Sequence, residues 1–292
     1  LGLGNILVDE VYQIPRFPDR NGDVVATNHF REVGGGFNVL VSAHRLGMET
    51  AYAGAHGTGA NADLIRSTLT KNGIGILQEA STTQDSGSCV NFLEPDGSHT
   101  FVTHPGAEAS LQLSSLQSLK IRQSDFVYVS GYDLTYVKSG PILSRFIEES
   151  LSNQRIIFDP SPLIAEIPLE FLLAIMKRAF IISLNTDEFK YLSEIEGSAC
   201  DCSLVIRQGP GGARVLHGLI DLHFPAPQVT AIDTTGAGDT HIGAMIAELA
   251  RGASLAEAVK FANICAAISV TQLGPATAPT RAEAVEMLER NE

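Results

Sequence analysis

The sequence predicts an α/β protein with a mostly parallel central sheet and helices on both of its faces. Short apolar runs alternate with helix-periodic stretches over most of the chain, the rhythm of strand–helix–strand units. The runs are apolar at nearly every position, as strands buried on both faces are. With 44% apolar and 18% charged residues in 292, the chain has the material for a large core and is not disordered. Length alone allows one large α/β domain or two smaller ones; no repeat or low-complexity linker is visible, and a single domain over residues 1–292 is the expectation.

In chain order, strand-like runs fall at residues 3–8, 50–55, 126–130, 156–159, 180–183 and 204–207. Helical stretches fall at 38–46, 61–72, 141–151, 169–178 and 186–195. Two segments break the alternation. Residues 10–31 and 88–104 lack helical periodicity, and the second reads as a hairpin with arms 88–93 and 99–104 around Glu94-Pro95-Asp96-Gly97-Ser98. Strands inserted into an α/β domain commonly cover a site, so these segments are the expected small β-strand lid. A surface hairpin with no role is the bland alternative. The last quarter is helical: Ser254-Leu255-Ala256-Glu257 is a capping box opening a helix to about Thr271. The helix before it carries Ile242, Met245, Ile246 and Leu249 on one face, with Gly252 placed to end it.

A net charge of −13 argues against nucleic acid as a partner, since neutralising a phosphate backbone takes clustered Lys and Arg. Small anions remain open, because backbone N–H groups bind them locally. No apolar run approaches the ~18 residues of a membrane helix, and no signal peptide is expected. Of Cys89, Cys200, Cys202 and Cys265 only the middle two are close, a poor zinc framework, so reduced thiols in a cytoplasmic protein are expected.

Asp233-Thr234-Thr235-Gly236-Ala237-Gly238-Asp239 precedes the amphipathic helix directly. Glycines there let N–H groups turn toward an anion, and a helix N-terminus adds a favourable dipole. A carboxylate beside a phosphate would repel it, yet suits a site where Asp239 takes the proton of an attacking hydroxyl while the anion hole holds the moving phosphoryl. A glycine-rich helix start with an acidic cap is the alternative. The Walker pattern and the protein-kinase loop are both absent.

With Gly34-Gly35-Gly36-Phe37-Asn38 and Arg45-Leu46-Gly47 added to that run, the chain resembles, over essentially its whole length, the ribokinase-like (PfkB) carbohydrate kinases. The resemblance implies the three-layer ribokinase-like fold. Asp239 then matches the general base, and Gly236, Ala237 and Gly238 the anion hole. Asn5 and Asp9 match the N-terminal element whose carboxylate takes substrate hydroxyls, and Gly34, Gly35 and Asn38 the glycine corner against the substrate. An Asp ending a strand and an Asn starting a helix are the plainer readings of Asp9 and Asn38. Asn185-Thr186-Asp187-Glu188 resembles the element that organises hydrated Mg²⁺ and phosphates, Glu188 acting through water; it also reads as an N-cap with an acidic first turn. Gly209 and Gly212 resemble the turn beside the nucleotide, although Arg207 and Gln208 stand where the family usually carries a threonine. Asn263 resembles a nucleotide-adjacent position or a satisfied helix Asn. His241 stands where an aromatic is usual, and packing or capping is its plainer role. Some relatives hold potassium near the anion hole; Asp233 and Gly274 would serve, with Pro275 altering the backbone there.

The function implied is transfer of a phosphoryl group from ATP, with Mg²⁺, to a hydroxyl of a small sugar-like substrate. A ribonucleoside is the alternative substrate. A phosphosugar, read by Arg16, Arg20 and Arg31, and a non-catalytic sensor stand behind it. A homodimer through the lid is expected from its sheet edge.

Overall fold

Alternate residues of a strand face opposite sides, so a strand apolar throughout needs cover on both. The computed structural model describes residues 1–151, 153–195 and 200–291. Its strands are β1 (Ile6–Gln13), β2 (Asn28–Gly35), β3 (Ala51–Tyr52), β4 (Gly75–Ile76), β5 (Ser88–Leu93), β6 (His99–His104), β7 (Phe126–Ser130), β8 (Arg155–Asp159), β9 (Ala179–Asn185), β10 (Ser203–Arg207), β11 (Ala213–His217) and β12 (Ile220–Phe224). Its helices are α1 (Gly36–Arg45), α2 (Ala60–Lys71), α3 (Leu113–Gln117), α4 (Gly131–Thr135), α5 (Ser139–Ser150), α6 (Leu169–Met176), α7 (Thr186–Ser193), α8 (Ala237–Ala250), α9 (Leu255–Ser269) and α10 (Arg281–Asn291).

The larger sheet runs β12-β11-β10-β9-β8-β7, parallel from β7 to β10 and antiparallel beyond. Gly2 bridges to Tyr52 of β3 and Tyr128 of β7, so the β3–β4 pair continues the same layer. Val127, Val129, Phe158, Ile182 and Leu184 pack one face against Phe146 of α5 and Leu172 and Ile175 of α6. Their neighbours Tyr128, Ile157, Ile181 and Val205 pack the other against Ile242 and Met245 of α8 and Val259 of α9. The result is three layers, as the alternation predicts.

The second sheet, β2-β1-β5-β6, contains the expected hairpin with both arms at the expected residues. It draws in more chain than 10–31, from Ile6 to Gly35. The first strand also differs from the predicted 3–8. It runs Ile6–Gln13 in this small sheet, where polar Glu10 and Gln13 are tolerated because they stay partly exposed. The β11–β12 hairpin was not predicted: β12 is an edge strand exposed at all but Phe224, with Asp221 and His223 breaking the continuous apolar run that marks the buried strands.

The Ser254–Glu257 capping box forms with both reciprocal bonds, Ser254 N–H to Glu257 Oε2 at 2.8 Å and Glu257 N–H to Ser254 Oγ at 3.3 Å. Gly252 follows α8 at φ 92°. The reduced pair expected at Cys200 and Cys202 is corrected: their sulfurs are bonded to each other, the intervening turn bringing the Cα atoms to 5.2 Å. Cys89 and Cys265 are free and buried. No helix among the described residues is long and apolar enough to cross a membrane.

Candidate active site

Glycines fix the corner where α1 meets α8. Gly236, the residue before α8, adopts φ 72°, and a Cβ there would lie 2.1 Å from the Pro275 carbonyl oxygen. Asp233 braces this loop, accepting from Thr235 N–H and Gly274 N–H at 2.9 Å each. Of the first-turn amides of α8, Ala237 N–H donates back to the Thr234 carbonyl at 3.2 Å, while those of Gly238 and Asp239 have no intrahelical partner. At Gly243 a Cβ would meet the Val39 carbonyl oxygen and Ser42 Cβ at 2.6 Å, so the missing side chain lets α1 and α8 cross closely. Ser42 Oγ seals the crossing by donating to the Thr240 carbonyl at 3.0 Å. Asn38 Nδ2, from the first turn of α1, thereby donates to Asp239 Oδ2 at 3.2 Å across 201 residues of sequence.

The acids of this corner hold their protons unusually well. Desolvation, with Asp159 adding repulsion, pushes Asp239 up to about 7 against the opposing Asn38 hydrogen bond and the Arg207 charge. Asp9 on β1 lies opposite Glu32 on β2. Desolvation, then Glu32 and Asp239, push Asp9 up to about 7. Glu32 is likewise pushed to about 7, by desolvation and by Asp233. Gly34 makes room behind Asp9, since a Cβ would stand 2.0 Å from Asp9 Oδ2.

Across the cleft, β9 ends in Asn185, which forms a full capping box with Glu188. Asn185 Oδ1 accepts the Asp187 and Glu188 amides at 2.9 and 2.8 Å, and Glu188 Oε2 accepts the Asn185 amide at 2.7 Å. The helix-cap reading of this pair is therefore true of its local structure, and both residues still line the cleft. Burial first, then Asp159, raise Glu188 to about 7.

Two cavities open here, one of about 390 Å³ and one of about 250 Å³. The larger is lined by Asn5, Asp9, Gly35, Asn38, Gly236 and Asp239 from one side and Asn185 and Glu188 from the other. The smaller is lined by Gly209, Gly212, Ala237 and Asn263. Gly238 lines both. Gly34 and Asp233 line neither and act from behind. Asn263 commits its side chain to the protein: Nδ2 donates to the Phe224 carbonyl at 2.8 Å, so Oδ1 is the acceptor facing His241 Nε2 at 3.2 Å. That arrangement places the His241 proton on Nε2. Desolvation, then the Arg207 charge, push His241 down to about 3, so it is a neutral wall residue.

Three cleft residues carried little signal in the sequence. Asp159 and Arg207 end β8 and β10, and the carboxyl ends of parallel strands are where α/β sheets bind ligands, which is the signal that finds them. His99 opens the second arm of the hairpin with no motif around it. It reaches from the lid to Thr235, Nε2 to Oγ1 at 3.0 Å, with its Nδ1 held by Asn91 Oδ1 at 3.0 Å. No trio of His, Cys, Asp or Glu among the described residues forms a protein cage for a metal. The oxygen donors of Asp159, Asn185 and Glu188 nonetheless suit Mg²⁺, which keeps several waters and takes few protein ligands.

The three layers, the small second sheet and the paired cavities at the strand ends make up a fold shared with solved ribokinase-fold structures. Residues 4–282 match the family described as pfkB family carbohydrate kinase. The chain is 31% identical over 296 residues to the uncharacterized sugar kinase YegV of Escherichia coli, covering 96% of this chain and 91% of that one. It is 29% identical over 273 residues to the aminoimidazole riboside kinase of Salmonella typhimurium, covering 84% and 83%. The solved Salmonella enterica aminoimidazole riboside kinase, complexed with aminoimidazole riboside and an ATP analog, superposes with a TM-score of 0.81 at 25% identity, covering 98% of this chain and 99% of that one. Thermotoga maritima ribokinase shares the fold, with a TM-score of 0.83 at 23% identity over 99% of this chain and 98% of that one. The chain belongs to the pfkB family of carbohydrate kinases and is an ATP-dependent sugar kinase.

Proposed function

We propose that the chain transfers the γ-phosphoryl group of ATP to a hydroxyl of a small, uncharged sugar-like substrate, with Asp239 as general base. The observation that carries this is the Asn38–Asp239 contact at the start of α8, beside the glycine at which both cavities meet. A base raised to about 7 is matched to neutral pH, holding its proton loosely enough to pass it on. Asp9 and Asn38 orient the substrate hydroxyls, the carboxylate accepting from two at once. The Gly236, Ala237 and Gly238 amides hold the phosphoryl oxygens. Asn185 and Glu188, through water, hold Mg²⁺, which when bound offsets the negative charge of the phosphates. Gly209 and Gly212 give the nucleotide its turn. The β1–β2 and β5–β6 strands act as the lid of a single kinase domain, excluding water from the phosphoryl group.

The uncharged substrate is supported by where the cations are. Arg16 pairs with Asp19, Arg31 with Glu10, and Arg20 is exposed; none of the three lines either of the two cavities described, as a phosphosugar would require. A ribonucleoside is favoured as a second reading by one feature. His99 and Phe101 of the lid stack with ring centroids 5.7 Å apart and planes 6° apart, a flat wall for a nucleobase.

Potassium at the Asp233 brace and a homodimer through the lid edge belong to the same proposal. Stimulation of turnover by K⁺ over tetramethylammonium tests the first, and a dimer mass in light scattering the second. The central test is ADP release with Mg-ATP over a panel of free sugars, sugar phosphates and ribonucleosides. Turnover on one member, lost by about 100- to 10,000-fold in Asp239→Asn, is the expected result. A rate unchanged in Asp239→Asn would remove Asp239 from the chemistry.

A further inference from the structure

Where the two cavities meet, one cation stands among carboxylates, and the chemistry proposed above makes no use of it. Arg207 ends β10 beside Asn185 of β9 in the parallel register. Only Asn185, Arg207, Thr234 and Gly238 line both cavities, so a group passing from one to the other passes between them. Arg207 is the one Lys or Arg among the lining residues of either cavity.

Its guanidinium is aimed but not used up. Nη1 donates to Ser183 Oγ at 2.7 Å, while Nη2 stands 3.6 Å from Glu188 Oε2 and 3.7 Å from Asp159 Oδ1, attracted yet outside hydrogen-bond range. Its flank lies along the anion loop, where a Cβ on Gly238 would sit 3.4 Å from Nε. The side chain is 15% exposed, so its charge is weakly screened. Asp159, Glu188 and Asp239 line the larger cavity beside this junction and would repel a triphosphate there. A planar guanidinium among them supplies the compensating charge, in a shape that grips two phosphate oxygens together.

We infer that Arg207 is a further catalytic residue, binding the non-bridging oxygens of the phosphoryl group in transit while Ser183, Glu188 and Asp159 aim it. The inference rests on the assignment of Asp239 as base. In the step it serves, the bond between substrate oxygen and γ-phosphorus forms as the bond to the β–γ bridging oxygen breaks. The bridging oxygen leaves with that electron pair on ADP, and the hydroxyl proton goes to Asp239. Arg207 gives up no proton; it offsets charge on the three peripheral oxygens.

The test compares Arg207→Gln and Arg207→Lys with wild type and Asp239→Asn. Arg207→Gln is expected to lose about 100- to 1,000-fold in kcat, to keep its affinity for ADP, and to recover rate when free guanidinium ion is added. Arg207→Lys keeps the charge without the fork and falls between. A second readout needs no turnover: ADP with aluminium fluoride mimics the group in transit, and binds wild type more tightly than ADP alone. That gain is expected to vanish in Arg207→Gln. An intact gain overturns the inference even where turnover is lost, because the arginine is then structural. Full activity in Arg207→Gln beside an inactive Asp239→Asn overturns it and leaves the kinase reading standing. A wild type inert on every alcohol strikes instead at the base assignment, and at this inference with it.

Discussion

Gly236→Ala isolates the anion loop. Two costs follow from its geometry. At φ 72° an alanine is in the left-handed region, which costs about 1–2 kcal/mol. Its Cβ also lies 2.1 Å from the Pro275 carbonyl oxygen, a backbone atom that cannot rotate away, and crowding of this kind costs about 1–3 kcal/mol. The natural control is Gly252 at the other end of the same helix, at φ 92° with nothing within 4 Å of an added Cβ, where only the first cost applies. If the loop relieves the clash by moving, the crowding is expressed in the site: each 1.4 kcal/mol is about tenfold in rate, so a loss of about 100-fold in kcat is expected. Urea denaturation gives the stabilities of the two variants, and ADP release their rates. Gly252→Ala should lose only stability. Equal denaturation midpoints, with Gly236→Ala turning over within about threefold of wild type, would refute the argument that this glycine is required by its contact with Pro275.

Turnover should fall on the acid side of about pH 7, as Asp239 takes up the proton that disables it as a base; a rate flat from pH 5.5 to 8 counts against the assignment. Stability should run the other way. Asp9, Glu32, Glu188 and Asp239 are all raised to about 7, so the folded chain keeps protons that the unfolded chain releases near pH 4. Their stabilising contribution is complete below that point and is lost as pH rises through 7, so a melting temperature higher at pH 8 than at pH 5.5 would contradict it. Thr235→Val removes the one side-chain hydrogen bond from the lid histidine to the anion loop, and should cost about fivefold in kcat/KM, the equivalent of ~1 kcal/mol, with little change in melting temperature.

How much of this was legible depended on whether a residue acts through its neighbours in sequence or in space. Local signals carried well. The capping boxes at Asn185 and Ser254, the Glu94–Ser98 hairpin and the core strands β7 to β10 are each specified within a few residues and form where their patterns lie, whereas the runs at 3–8 and 50–55 give a strand shifted to Ile6–Gln13 and a short one at Ala51–Tyr52. Phe126–Ser130 is apolar because both faces are covered, so its pattern reports its burial directly. The edge strand β12 reports little, Ile220 and Leu222 being exposed and only Phe224 buried. Among the candidate residues, those within the two glycine motifs converge on one cleft, since a glycine demanded by a turn marks its place in the chain. Arg207 ends a parallel strand and so sits at a ligand-binding edge, but what it faces there is set by strand register, and His99 owes its position to the second sheet meeting the loop.

The contact from Asn38 to Asp239 has a consequence in time. The corner on α1 is translated 201 residues before its partner. At about 5–20 residues per second, that is a wait of about 10–40 s. Through that interval the buried α1 face, with Val39 and Ser42, has no α8 to cover it. A nascent chain therefore lacks the corner until its final helices emerge, and the α1 face that will carry Asn38 stays uncovered through that interval.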